Sequence, residues 1–285
     1  MILSFNTAIR GAGSAGMLTA ALLAAPSASA ADLVPDPLPY DVDEQAAELS
    51  RLQRVTEQLH RWQTVIGGGA KVSPEYEGSD EFKISPIPYV SMTFADRVTV
   101  NSAGISAKVL EGGPFTLSAT LGYEDGLEED AGDELVGLGD VDFGATVGGR
   151  IEAAFGAFTA YAEVDKTLGG SEGLLGVAGL DLGFAVTRWL RLGAGASATF
   201  ADENHMEAYF GVDPGQAARS GYSVYTPGAG IKRVDLTATA TVAMTENWFL
   251  RGEADFGFLL GDAADSPIVQ DTFQPSVMLV LGYRF

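Results

Sequence analysis

The sequence predicts an all-β protein, a transmembrane antiparallel up-and-down β-barrel of about 12 strands (alternative 10), preceded by a short N-terminal periplasmic helix. Three observations lead there. From Trp62 onward, apolar and polar side chains alternate with a period of two. The apolar face is long and unbroken, whereas the other face is built from glycine, serine, threonine and charges of both signs. After the N-terminus no apolar stretch reaches the length of about 18 residues that a membrane-spanning helix needs.

The first 30 residues carry one base, Arg10, then a small-and-apolar run to Ala25 and an Ala28-Ser29-Ala30 cleavage site. They read as a secretory signal peptide. Its removal would take the formal charge from −21 to −22, because Arg10 is lost and no acid goes with it. So much acid argues against nucleic acid as a partner, and the absence of cysteine removes disulfides as a source of stability.

Residues 31–61 form a separate leader. Pro35, Pro37 and Pro39 predict an extended linker. Asp41 and Glu44 then resemble a capping box. Val42, Ala46, Leu49, Leu52, Val55 and Leu59 recur at helical spacing, with acids early and bases late. This predicts a short amphipathic helix ahead of the barrel domain, which spans 62–285.

Within that domain each strand is justified by its alternation. Trp248, Leu250, Ala254, Phe256, Phe258 and Leu260 oppose Arg251, Glu253 and Asp255. Val234, Leu236, Ala238 and Ala240 oppose Arg233, Asp235, Thr237 and Thr239. Leu190 to Phe200 opposes Arg191 and a row of glycine, serine and threonine, and Phe158 to Val164 opposes Glu163 and Asp165. Val141, Phe143, Ala145, Val147 and Ile151 oppose Asp142, Thr146, Arg150 and Glu152. In the last strand Val277, Leu279, Leu281, Tyr283 and Phe285 share the apolar face. Tyr283 and Phe285 read as headgroup-level aromatics and as the C-terminal assembly signal offered to barrel-assembly machinery. Outer-membrane lipid and lipopolysaccharide are the surroundings such a face requires.

Long outer loops are expected at 73–81, 125–139, 167–172, 201–230 and 261–272, with short periplasmic turns between them. Strand parity then requires a hairpin at Asn101-Ser102-Ala103-Gly104, which brings the count to twelve. On this register Lys71, Arg150, Glu152, Glu163, Asp165, Asp181, Arg191, Arg233, Asp235, Arg251, Glu253, Asp255 and Arg284 project into the lumen. They read either as the lining of a polar pore or as an ion-pair network that fills the barrel.

Several short motifs narrow the reading. Pro74-Glu75-Tyr76-Glu77-Gly78-Ser79 follows the first strand, and Gly137-Leu138-Gly139-Asp140 opens a later one. Tyr209-Phe210-Gly211-Val212 lies in the longest loop, Ser266-Pro267-Ile268 in the last, and Tyr283-Arg284-Phe285 ends the chain. In order and spacing, from about Trp62 to Phe285, the chain resembles the MltA-interacting protein (MipA)/OmpV family of outer-membrane proteins. The resemblance implies a scaffold that brings a lytic transglycosylase together with a murein synthase. It implies no catalytic motif and no cofactor. A narrow porin-like channel for small polar solutes is the alternative function.

Enzymatic chemistry finds little footing. His60 falls in the leader, and His205 sits in the 201–230 loop beside Asp202 and Glu203, where a solvated histidine is expected. The acidic run Glu124 to Asp130 lacks the ligand order of a calcium loop and is expected to be a solvated loop. Gly67-Gly68-Gly69 opens no helix and so is not a phosphate loop. Tyr209, Phe210, Tyr222 and Tyr225 could form a sticky outer surface or fold inward as a lid.

Overall fold

Alternation forces each segment to present two chemically different faces, and a closed barrel satisfies both without leaving a sheet edge. The computed structural model describes residues 63–285; the signal peptide, linker and helix expected over 1–61 lie outside the described residues. Twelve antiparallel strands form one closed barrel in sequence order. They are β1 (Gln63–Pro74), β2 (Phe82–Phe94), β3 (Val98–Asn101), β4 (Gly104–Gly112), β5 (Phe115–Glu124) and β6 (Gly144–Phe155). The second half comprises β7 (Phe158–Gly169), β8 (Leu174–Ala185), β9 (Leu190–Ala201), β10 (Gly230–Ala243), β11 (Trp248–Leu259) and β12 (Phe273–Arg284).

β1 and β12 close the ring, in register from Val65 opposite Arg284 to Val72 opposite Val277. The Phe285 N–H donates to the Thr64 carbonyl at 3.0 Å, extending the seam. The Asn101–Gly104 hairpin is present, between β3 and β4. The turn between β2 and β3 has positive φ at both Ala95 and Asp96, the mirror-type turn whose twist suits a hairpin. One strand start differs from the expectation. β6 begins at Gly144, not Val141; Val141 makes only an isolated bridge with Leu127, and Phe143 leaves the ladder to stack on Tyr123.

The outer surface is apolar except at Lys166 near the loop end of β7, whose ammonium donates to the Glu172 carbonyl. Leu279 at mid-strand is 53% exposed, and Leu236, Leu180, Val164, Ile151 and Leu121 are exposed with it. Aromatics mark both ends of the wall. Trp189, Trp248, Phe155 and Phe285 lie at the end bearing the short turns, and Phe82, Phe143, Phe200 and Phe256 toward the loops. The Tyr283 ring packs edge-on between Trp248 (5.1 Å) and Phe285 (4.8 Å).

The inner face is not uniformly polar. Val65, Ile87, Tyr89, Phe249, Met278 and Val280 form a buried apolar cluster inside the wall made by β1, β2, β11 and β12. Gly282 makes room for it, since a Cβ there would lie 2.3 Å from the Phe249 ring. On β8 and β9 the inner face carries small residues, among them Gly179, Gly193, Gly195 and Ser197, and the Tyr161, Thr239 and Asp181 side chains lie over the three glycines.

If the outer face meets hydrocarbon, Leu279→Arg should cost about 2–4 kcal/mol in lipid. On a water-facing surface the same change falls within about 0.5 kcal/mol. Urea unfolding of the refolded chain in vesicles separates the two.

Candidate functional site: a lumen under a packed cap

The connections at the loop end do not splay into solvent. The 202–229 segment folds into two helices, α1 (Glu203–Phe210) and α2 (Pro214–Ser220). Asp202 caps α1 by accepting from the His205 N–H, and Asp213 with Gln216 forms a reciprocal capping box on α2. A third helix, α3 (Gly261–Ala264), lies in the 260–272 segment, and the 125–143 segment contains two 3₁₀ turns.

Two apolar clusters hold these pieces together. Tyr76, Leu135, Leu138, Val212 and Ile268 make one; Ala201, Met206, Phe210, Leu259 and Ala263 make the other. Phe210 is 0% exposed, so the tyrosine- and phenylalanine-bearing loop folds inward as a lid. Hydrogen bonds tie the segments at the same points. Tyr76 Oη donates to the Ile268 carbonyl (3.0 Å), Ser266 Oγ to the Phe210 carbonyl (2.6 Å) and Gln216 Nε2 to the Leu138 carbonyl (2.7 Å). Gly137 has φ +91° and lies so close to α2 that a Cβ would meet Ser220 N at 2.8 Å. Four sequence motifs separated by up to some 190 residues thus meet in one body, with Tyr76, Leu138, Val212 and Ile268 touching in a single cluster.

Beneath the cap runs a polar row that alternation does not single out. Lys232 Nζ donates to Glu77 Oε2 at 2.7 Å and lies 3.0 Å from His205 Nε2. His205 Nδ1 lies 2.8 Å from Glu124 Oε1, a short contact off the ring N–H axis. Ser171 Oγ donates to the other Glu124 oxygen at 2.6 Å. An ammonium can only donate, so Nε2 is the acceptor and the imidazole is neutral with its proton on Nδ1.

The sequence reading of His205 as solvated is corrected here: it is 3% exposed, buried by the α1 cap and by its stack on Tyr209 at 4.7 Å. The acidic run is likewise folded in part. Glu124 joins the row, and Glu129 Oε1 accepts the Gly137 N–H at 2.7 Å. Lys232 is aimed inward by a β-bulge. The β9–β10 register shifts between Ile231 and Arg233, so Lys232 and Arg233 both reach Glu77. The signal in the sequence is a break in alternation, with apolar Ile231 and Val234 three residues apart.

Burial alone would raise the Glu77 carboxyl, but the positive charges of Lys232 and Arg233 outweigh it and hold the group at about 2. His205 is held below its ordinary value by burial first and by Lys232 second, against the pull of Glu124 and Glu77. The row does not have the order of a hydrolase. Ser171 donates to a carboxylate, and among the described residues its hydroxyl makes no contact with the imidazole that would have to act as its base.

Deeper in the lumen the charged residues form short local pairs. Arg150 pairs with Glu152 (2.5 Å) and Glu163 (2.8 Å) and lies over the Tyr161 ring. Arg233 pairs with Asp235 (2.6 Å) and Arg251 with Glu253 (2.6 Å). Asp165 accepts from Thr120, and Asp255 from Thr237 and Ser276. Asp181 lies within electrostatic reach of Arg150, Arg284 over Phe249, and Lys71 near Asp255 and Glu253. Arg191 is exposed at the turn end, apart from the rest.

Glu77, Glu124 and His205, the titrating groups of the row, carry the same sign. Each has a folded pKa below its unfolded value, so each contributes stability above the unfolded pKa and loses it as pH falls. Cap protection should therefore weaken from about pH 6.5 downward through His205, and further between about 4.5 and 2 through Glu77 and Glu124 together. Hydrogen exchange of α1 against pH checks this. Glu77→Gln, which leaves Lys232 buried without its anion, should loosen the same amides at neutral pH by about 3 kcal/mol.

A model of the family described as MltA-interacting protein MipA matches residues 66–285. The curated proteins offer no match. Among solved structures, the KdgM porin is 8% identical with a TM-score of 0.39, the alignment covering 78% of this chain and 99% of that one. The NanC porin is also 8% identical at 0.39, covering 78% and 100%. The outer membrane protein OprD from Pseudomonas aeruginosa is 12% identical at 0.35, covering 78% and 59%.

Proposed function

The chain belongs to the MipA family, and from that premise we propose that it is an outer-membrane barrel acting through protein contacts rather than by passing solutes or by catalysis. The cap carries this reading. Its two apolar clusters and buried polar row give the loop end a rigid, specific shape, whereas a diffusion pore needs an unobstructed mouth. The paired lumen charges and the apolar cluster around Phe249 support it from below. The family description names MltA as the interacting protein; in this reading that partner class is a lytic transglycosylase, which a scaffold would bring together with a murein synthase. Export by the signal peptide, the apolar outer wall and its two aromatic girdles support an outer-membrane location. Tyr283 and Phe285 serve in this reading as the assembly signal.

One observation favours a narrow channel instead: the inner faces of β7 to β10 carry hydroxyls and carboxylates such as Thr159, Asp181, Ser197 and Thr237, the lining a polar conduit needs. Planar-bilayer recording together with a cross-linking pull-down from envelopes decides between the readings. Electrical silence and recovery of a lytic transglycosylase are expected. Steady open-channel current with no murein enzyme recovered would replace the scaffold by the channel. Met206→Ala with Phe210→Ala, which empties the cap core at a cost of roughly 2–5 kcal/mol per site, should turn silence into flickering current.

A further inference from the structure

The wall has a notch in its loop half. β2 pairs with β1 along its whole length, from Phe82 to Thr93, but on its other side β3 covers only Ser91 to Phe94. The β3–β4 hairpin ends at Ser102, while on its far side β4 follows β5 up to Gly122. Above Ser102 two strands are missing from the wall, a gap of about 14 Å between strand axes at ordinary sheet spacing. No strand pairing joins β2 to β5 across it.

In hydrocarbon an open strand edge is costly, because its N–H and C=O groups have no water to bond. This edge is built to limit that cost. The Val90 N–H donates to Ser102 Oγ, and that hydroxyl donates to the Pro88 carbonyl, so even-numbered residues of β2 direct their backbone groups toward the gap. Two of those residues are Pro86 and Pro88, which have no N–H. The same prolines make the edge a poor template for an added strand, which tells against a second copy or a peptide docking by sheet extension.

The two faces of β2 beside the gap differ in chemistry. Outward, Ile84 is 75% exposed and Phe82 is exposed next to it. Inward, Lys83 lies on the edge strand and Lys71 diagonally across β1, and among the described residues neither ammonium has a carboxylate within ion-pair distance. A greasy edge with unpaired positive charge behind it is complementary to a molecule with a hydrocarbon tail and an anionic head.

We propose that the notch is a lateral binding site for a long-chain fatty carboxylate drawn from the surrounding membrane. Its tail lies along Phe82, Ile84, Pro86 and Pro88, and its head reaches through to Lys83 and Lys71. The inference rests on the membrane reading above and is independent of the scaffold role.

The test uses the full chain in phospholipid vesicles with two photoactivatable diazirine probes of equal length, a C16 fatty acid and the corresponding C16 alcohol. Peptide mapping should place the acid adducts on 82–88 and 121–123. Lys71→Gln with Lys83→Gln should reduce acid labelling there about tenfold, the size of one lost charge-assisted bond, and leave alcohol labelling unchanged. Ile84→Trp, which fills the notch from the lipid side, should reduce both. Even labelling around the barrel regardless of the lysines, or no adducts from a chain that floats with the vesicles, overturns the site while leaving the membrane reading intact. A chain that fails to float overturns both.

Discussion

Backbone hydrogen bonding closed upon itself is the constraint on which the rest of this molecule depends. Every strand has two edges, and a wall exposed to an apolar surrounding leaves none unpaired without cost. The β1–β12 seam joins the two terminal strands and closes the ring. Once the ring is closed, every side chain is assigned to one face or the other, and the outer face can be apolar. Where the ring is incomplete, beside β2, the chain places Pro86 and Pro88 and the hydroxyl of Ser102. The same physical demand thus explains both the closed wall and its open stretch beside β2.

The closed wall also fixes where the loops begin, and so makes the cap possible. Five connections emerge at one end within reach of each other, and apolar side chains in them bury one another instead of facing water. A buried lysine and histidine would be costly there without partners. Glu77 and Glu124 supply them, and a bulge in β10 turns Lys232 toward them. The polar row and the apolar clusters stabilise each other: the clusters exclude water and strengthen the ion pairs, and the pairs hold the helices over the lumen.

The lumen divides by chemistry. One side, from β1, β2, β11 and β12, carries the apolar cluster around Phe249 and Val280 beside the Arg251–Glu253 pair, and the other carries glycine, serine and the Arg150 network. In the scaffold proposed above, that apolar cluster and the local ion pairs stiffen the wall beneath the cap.

Much of this was legible in the residues alone. Period-two alternation is a local property, so it yields the strands, their faces and, through parity with the Asn101–Gly104 hairpin, their number. The family motifs were visible for the same reason. What alternation cannot express is contact between segments far apart in the chain. Whether His205 meets water or Lys232, whether Phe210 faces out or in, and whether Met278 and Val280 line a pore or a plug each depend on partners up to two hundred residues away. The open edge of β2 is of the same kind: two prolines in a strand reveal its boundary role only when its neighbour is seen to stop four residues in. Pattern sets which face a side chain takes, and long-range packing sets what it meets there.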